Sequence, residues 1–174
     1  MQRQMNAEEL DEFYRRVGAA IWHVQYLEDV LVSFLAMKLL GPKRSDGQAI
    51  SAAEMDALLT QKRKLTLGPL IQACIGQNII TPALEPRFEI FKTDRHWLVH
   101  RSVVESGDGL YNGEARDAVF SRIFSVQEEA ISLKKLIGAG LETWLSAQGV
   151  DVDAAARQGE DVLRKLKGTL PETR

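Results

Sequence analysis

The residues most able to do chemistry in this sequence crowd into one segment of six, RHWLVH. The segment begins with Arg95, contains His96 and His100, two of the three histidines of the chain, and is followed by Arg101. Histidine can exchange a proton near neutral pH, and arginine binds oxyanions through a fixed fork of N–H donors. The residue types therefore pose the central question of whether this segment is catalytic or structural.

A metal site is one interpretation of the histidines, because residues four apart share one face of a helix. HWLVH lacks the glutamate that follows the first histidine in the zincin pattern, and only His23 and Cys74 remain as further histidine or thiol ligands. We therefore expect no metal and no other cofactor, and two solvent-exposed histidines are the simpler alternative. The sequence ESGDG fits neither GxSxG nor a phosphate-binding GxxxxGK[ST] loop.

The composition indicates one cytoplasmic, globular domain. The chain has 174 residues, of which 45% are hydrophobic and 26% charged, enough for one core. The single cysteine excludes a disulfide within the chain, the N-terminus has no apolar signal segment, and no apolar run is long enough for a membrane span. The formal charge of −2 neither predicts nor excludes a local nucleic-acid surface.

Helical periodicity runs through nearly the whole chain, so we predict an all-α fold. Residues 7–148 form the predicted domain, and residues 149–174 an amphipathic helix ending in a flexible, disordered tail. The loop ESGDGLYNGE separates the last two helices of the domain. The predicted helices of the domain are Ala7 to Leu40, ended by GPKRSDG; Ser51 to Leu59, with a capping box from Ser51 to Glu54; a short apolar helix in LTLGPLIQACIGQ; Thr81 to about Val104, carrying the motif; and Ala115 to Ala147.

The first helix is apolar on two faces, and both need cover. The second face could be covered by a partner chain or by another helix of the same chain. The first face, predicted to point inward, consists of Leu10, Phe13, Val17, Ala20, Val24, Leu31 and Leu35, and the second of Ala19, Trp22, Tyr26, Val30 and Met37. The inward stripe of the last long helix consists of Val119, Ile123, Ala130, Ile137, Leu141 and Trp144.

Two charged residues interrupt apolar stripes. Arg95 lies in the middle of the face formed by Phe88, Phe91 and Leu98, and Glu28 lies in the stripe of the first helix. A guanidinium cannot shed its charge, so burying it requires a carboxylate or another acceptor. A buried ion pair of Arg95 with Glu28 that fixes helix register is therefore the structural alternative to catalysis.

RHWLVH also resembles the R-x4-6-H signature of the HEPN superfamily, the higher eukaryote and prokaryote nucleotide-binding helical domains, in which asparagine, aspartate or histidine commonly follows the arginine. The segments WHVQYLEDVL and LTLGPLI look like prokaryotic members as well. The resemblance extends over residues 7–147. It implies an antiparallel helical bundle with long first and fifth helices, plus a short C-terminal helix.

The resemblance implies a metal-independent endoribonuclease, toxin or defence-like, that acts as a homodimer on RNA, and it leaves open whether an antitoxin or regulatory partner controls the protein. Arg95 and His100 are then the active pair, with His96 as a polar auxiliary. A histidine can take the proton from a ribose 2′-hydroxyl, which attacks the adjacent phosphate, and arginine stabilises the charge that develops. The expected products carry a 2′,3′-cyclic phosphate and a 5′-hydroxyl. A non-catalytic nucleotide-binding or protein-interaction module is the alternative.

Other residues near the motif are assigned lesser roles. We expect Glu28 and Asp94 to support the site, Glu28 by holding Arg95 between turnovers. Arg101 can add phosphate-binding charge or act as a favourable cation at a helix C-terminus, and Trp97 can stack on a base or belong to the core. The basic run of residues 62–64 can guide RNA but is better explained as a solvated turn.

The spacing of the active pair presents a geometric difficulty. Residues five apart on an ideal α-helix point about 140° from each other. Arg95 and His100 can share a face only if the helix loosens here or their long side chains converge across a cleft. Two motif helices meeting about a two-fold axis could instead build one composite site from both chains.

Overall fold

The computed structural model describes residues 5–41 and 51–168. Within these ranges every regular element is helical and no strand occurs, which confirms the all-α prediction for this part of the chain. A π-helical turn at Trp97–Arg101 and a 3₁₀ turn at Asp108–Tyr111 interrupt the α-helices. The α-helices are α1 Ala7–Leu40, α2 Ala52–Lys62, α3 Leu67–Gly76, α4 Glu85–His96, α5 Ser102–Ser106, α6 Gly113–Ala147 and α7 Val152–Gly168.

Helix α1 has the bounds that the sequence predicts. It begins with a capping box, in which the Asn6 side chain accepts from the Glu9 amide and the Glu9 carboxylate accepts from the Asn6 amide. These two bonds satisfy amide groups that lack partners at a helix start. Gly41, the first residue of the predicted stop, follows Leu40, and residues 42–47 of that stop lie outside the described residues.

The inward face of α1 differs in part from the predicted stripe. Leu27, absent from that stripe, is fully buried, whereas Leu10 is 36% exposed. The predicted stripe is wrong at Leu10, which lines an open surface pocket with Val103 and Leu110 and is not part of the core. Phe13 does pack against α6, where its ring centroid lies 5.8 Å from that of Phe120. Because Leu27 occupies the inward position, its neighbour Glu28 lies at the rim of the core.

The elements between α1 and the motif correct several predicted bounds. Ser51 makes the predicted capping box with Glu54, but α2 continues to Lys62, so the first of the three residues of the basic run is helical. Two backbone bonds to Thr81 form a turn before α4 begins at Glu85. The predicted loop ESGDGLYNGE is largely ordered into the end of α5, the 3₁₀ turn and the start of α6.

The two long helices, α1 and α6, run in the same direction. One ion pair joins Glu9 of α1 to Arg116 of α6, and Lys134 of α6 lies 5.5 Å above the ring of Tyr26 of α1. Contacts from Arg87 to Glu129 and from Asp94 to Arg122 show that α4 runs antiparallel to α6. The core lies between these three helices and α3, and includes Ala20, Leu27, Leu31, Ile71, Phe88, Phe91, Ile123 and Ala130.

The chain divides into two compact units, residues 1–137 and 138–174, and the division falls inside α6. In the second unit, Gly149 follows two residues after the end of α6, and its φ of 79° suits a residue without a side chain. Asp151 then accepts from the Ala154 amide at the start of α7. The sequence placed its boundary at residue 148, and that boundary stays a prediction. The predicted disordered end falls on residues 169–174, outside the described residues.

Candidate functional site

The motif lies where α4 runs into the π-helical turn. Phe88, Phe91 and Leu98 fix this segment, because all three side chains are buried in the core. Trp97 is buried as well, although it lies one position away from the stripe that these residues form. The segment therefore buries two consecutive side chains at the point where its helical geometry changes.

The helix widens within the motif. The Ser102 amide donates to the Trp97 carbonyl, five residues back, where an α-helix would use Leu98. A π-helical turn holds more residues than an α-helical one, so it reduces the angle of about 140° that an ideal α-helix would place between Arg95 and His100. The helix therefore does loosen within the motif, as one of the explanations for the spacing requires.

Ser102 compensates for the altered backbone bonding. Its hydroxyl donates to the Leu98 carbonyl at 2.9 Å, the acceptor that its own amide would use in an α-helix. Arg101, which precedes Ser102, has a φ of −124° and a ψ of −18°, outside the helical region. The wide turn thus has a side-chain hydrogen bond that replaces a backbone one.

Arg95 pairs with Glu28, as the interrupted stripes predict. The Nε of Arg95 lies 3.3 Å from the Oε1 of Glu28, and the two side chains are 28% and 26% exposed. These two atoms are shielded from solvent and make no hydrogen bond in the described structure. The pair is therefore partly buried and not fully buried as predicted, because it lies at the rim where α1 and α4 meet.

The two motif histidines are exposed and adjacent. Their ring centroids are 5.0 Å apart, with the ring planes inclined by 46°. Both side chains lie on the solvent side of the motif. Two imidazoles at this separation can act on the same bound group, one accepting a proton and the other donating one.

Asp94 and Trp97 contact a residue that sequence reasoning missed. Arg122 of α6 donates to Asp94 through Nε and Nη2, at 3.3 and 3.0 Å, and its guanidinium carbon lies 4.0 Å from the centre of the Trp97 ring. Trp97 is 3% exposed, so this position leaves no ring face for a base. Nothing in the sequence separates Arg122 from Arg116, the other arginine of α6.

The remaining basic residues near the motif have acidic partners. Arg101 donates to Glu105 at 2.9 Å along an exposed helix face. Arg63, from the basic run, bonds Asp29 at 2.8 Å and lines a shallow cleft of about 150 Å³ that also contacts Glu28. A phosphate approaching either arginine would compete with a carboxylate.

Among the described residues, neither a reactive thiol nor a cluster of metal ligands is found. Burial raises the pKa of Cys74 to about 12, so its thiol stays protonated and is a poor nucleophile. In residues 5–41 and 51–168, no group of three His, Cys, Asp or Glu side chains is arranged to hold a metal ion. No described helix is both long and apolar enough to cross a bilayer.

Comparison of the chain with protein-family models, with curated proteins and with solved structures gives no match. The site must therefore be interpreted from its own residues and geometry.

Proposed function

We propose that the protein is a metal-independent endoribonuclease of the HEPN type, toxin or defence-like, with Arg95 and His100 as its active pair. The observation that carries this proposal is the π-helical turn at Trp97–Arg101 between these two residues. The wide turn reduces the angle that an ideal α-helix would place between Arg95 and His100, and π-helical turns occur frequently at functional sites.

In the proposed reaction, His100 takes the proton from a ribose 2′-hydroxyl. The 2′-oxygen forms a bond to phosphorus, the bond from phosphorus to the 5′-oxygen breaks, and the products are a 2′,3′-cyclic phosphate and a 5′-hydroxyl. His96, whose ring lies 5.0 Å from that of His100, can in its protonated form return a proton to the leaving oxygen. Neither transfer needs a metal ion.

Arg95 is proposed to stabilise the charge that develops on the phosphate oxygens. In the free protein its guanidinium is held by Glu28 at 3.3 Å without a hydrogen bond. A poorly aligned carboxylate is a weaker competitor than a well-bonded one, so a phosphate can displace it at modest cost. Glu28 thereby keeps Arg95 near the motif between turnovers.

We propose that two copies meet through the motif helix, which would complete the site from both chains. Large apolar residues on and after this helix are left open to solvent: Ile90, Val99, Val103 and Val104. Exposed apolar side chains flanking polar residues are typical of protein interfaces. An antitoxin or regulatory partner could occupy the same surface.

The alternative is a non-catalytic nucleotide-binding or protein-interaction module, which the ion pair of Arg95 and Glu28 favours. In that case Arg95 serves to set the register of α1 against α4, and the histidines are surface residues. The two functions differ in what Arg95→Ala should do.

Arg95→Ala should abolish RNA cleavage while costing about 1 to 2 kcal/mol of unfolding free energy, between the values for exposed and buried ion pairs. Arg116→Ala is the matched control, because Arg116 pairs with Glu9 of α1 at 3.1 Å and is also partly buried. It should cost similar stability and leave cleavage unchanged.

Cleavage assays and urea melts of the two variants separate the functions. If Arg95→Ala and Arg116→Ala reduce cleavage alike, Arg95 acts through stability alone and its catalytic role is wrong. If the wild type cleaves no RNA, the interaction module becomes the better account.

A further inference from the structure

The motif helix is fixed from two sides, and one of the two contacts has no role in the proposed function. Arg95 reaches Glu28 on α1, whereas Asp94 and Trp97 reach Arg122 on α6. Arg122 thus contacts Asp94 and Trp97. His96 lies between these two residues in the sequence, and His100 follows Trp97 by three.

The geometry of Arg122 suits a rigid clamp. Its two N–H bonds to one oxygen of Asp94 set the plane of the guanidinium, and the 4.0 Å separation from the Trp97 ring sets its height above the indole. A flat, delocalised guanidinium can direct two N–H bonds to the carboxylate and still cover the ring, whereas an ammonium acts as a point charge. Trp97 is itself buried, so Arg122 connects a partly exposed carboxylate to the core through one side chain.

We propose that Arg122 is a positioning residue for His96 and His100. By holding Asp94 and Trp97 against α6, it fixes the start of the wide turn and therefore the directions in which the two imidazoles point. Arg122 touches no substrate in this proposal. The inference rests on the proposed function for its kinetic consequence, but the geometric part holds for the free protein.

Arg87 provides a matched control. It joins the same two helices through bonds of 2.8 and 2.9 Å to Glu129 and a third bond to Ser132, two turns before the histidines. Arg87→Ala therefore removes at least as many contacts between α4 and α6 as Arg122→Ala, without touching the motif. Arg122→Lys is the second variant, since lysine keeps the charge opposite Asp94 but loses the flat stack.

The first readout is RNA cleavage. Arg122→Ala should lower kcat about ten- to one-hundred-fold with KM nearly unchanged, because displaced catalytic groups affect the reacting step more than binding. Arg122→Lys should recover only part of this loss, and Arg87→Ala should keep the wild-type kcat. Equal kcat losses in Arg122→Ala and Arg87→Ala, or full recovery in Arg122→Lys, would overturn the proposal.

The second readout needs no activity. NMR signals of the His96 and His100 ring C–H groups, recorded for the free protein at one pH, should shift in Arg122→Ala and stay in place in Arg87→Ala. If the wild type cleaves no RNA but these shifts occur, the proposed function fails and the positioning role stands. Unchanged histidine signals in Arg122→Ala would show that Arg122 does not position them.

Discussion

Arg95 and His100 are held very differently by their surroundings. Arg95 is partly buried against Glu28, whereas His100 is exposed and has the His96 ring beside it. A residue that transfers a proton must be accessible to the substrate. A residue that stabilises developing charge is more effective when its side chain is already fixed in position before the substrate binds. The difference in burial matches the two roles that we propose.

At the residue level, the partner of a charged residue is easier to predict from the sequence when that residue interrupts an apolar stripe than when it lies on a polar helix face. Glu28 and Arg95 each interrupt an apolar stripe, so their pairing could be predicted. Arg122 lies on the exposed side of an amphipathic helix, where an arginine needs no explanation. Its contacts with Asp94 and Trp97 depend on how α4 and α6 are aligned, which the sequence alone does not define.

The reactivity of the Cys74 thiol reports on whether the core around α3 is closed to solvent. Because burial raises its pKa to about 12, the folded thiol should resist alkylation by iodoacetamide at pH 8, and unfolding in urea should make it react. The unfolded thiol ionises near pH 9 and the folded one does not, so this group also favours unfolding as the pH rises from 9 toward 12. Rapid alkylation of the folded protein, measured by mass spectrometry, would contradict the buried position.

At the level of elements, helix ends with local signals are predictable and changes within a helix are not. The capping box of α2 is local, so Ser51 and Glu54 identify it. The π-helical turn arises where the chain must bury both Trp97 and Leu98, a requirement set by tertiary packing. The sequence indicated only that an ideal helix would separate Arg95 from His100.

Ser102→Ala should weaken the wide turn. The substitution removes the hydroxyl bond to the Leu98 carbonyl, and we expect a loss of about 1 kcal/mol in unfolding free energy together with faster amide exchange across residues 97–102. Ser125→Ala is the control, because Ser125 makes the same kind of bond to Ser121 in a regular part of α6. Equal effects of the two substitutions on stability and local exchange would show that Ser102 has no special role in the turn.

At the level of the whole molecule, large apolar side chains of the described residues are exposed both beside the motif and on the second face of α1. Val103 and Val104, each 79% exposed, follow the motif, whereas Trp22 and Tyr26 lie on the second face of α1, at 59% and 47%. The sequence predicted that this second face needs cover but not which partner covers it. The proposed composite site requires the surface beside the motif.

Substitutions on the two surfaces identify the interface. Val104→Asp should weaken dimerisation at least about ten-fold, since docking would bury an unpaired charge, and Trp22→Asp should leave it unchanged. Sedimentation velocity over a range of concentrations measures both. Loss of the dimer in Trp22→Asp alone would move the interface to α1, and a monomeric wild type would exclude the composite site.

The most direct test of the account is cleavage of total RNA and tRNA by the purified protein in EDTA. Wild type is compared with His100→Ala and with His23→Ala, a histidine outside the motif, after circular dichroism confirms equal folding. We predict that wild type and His23→Ala leave 2′,3′-cyclic phosphate ends and that His100→Ala leaves the RNA intact. Absence of cleavage by the wild type on every RNA tested, or undiminished cleavage by His100→Ala, would contradict the account.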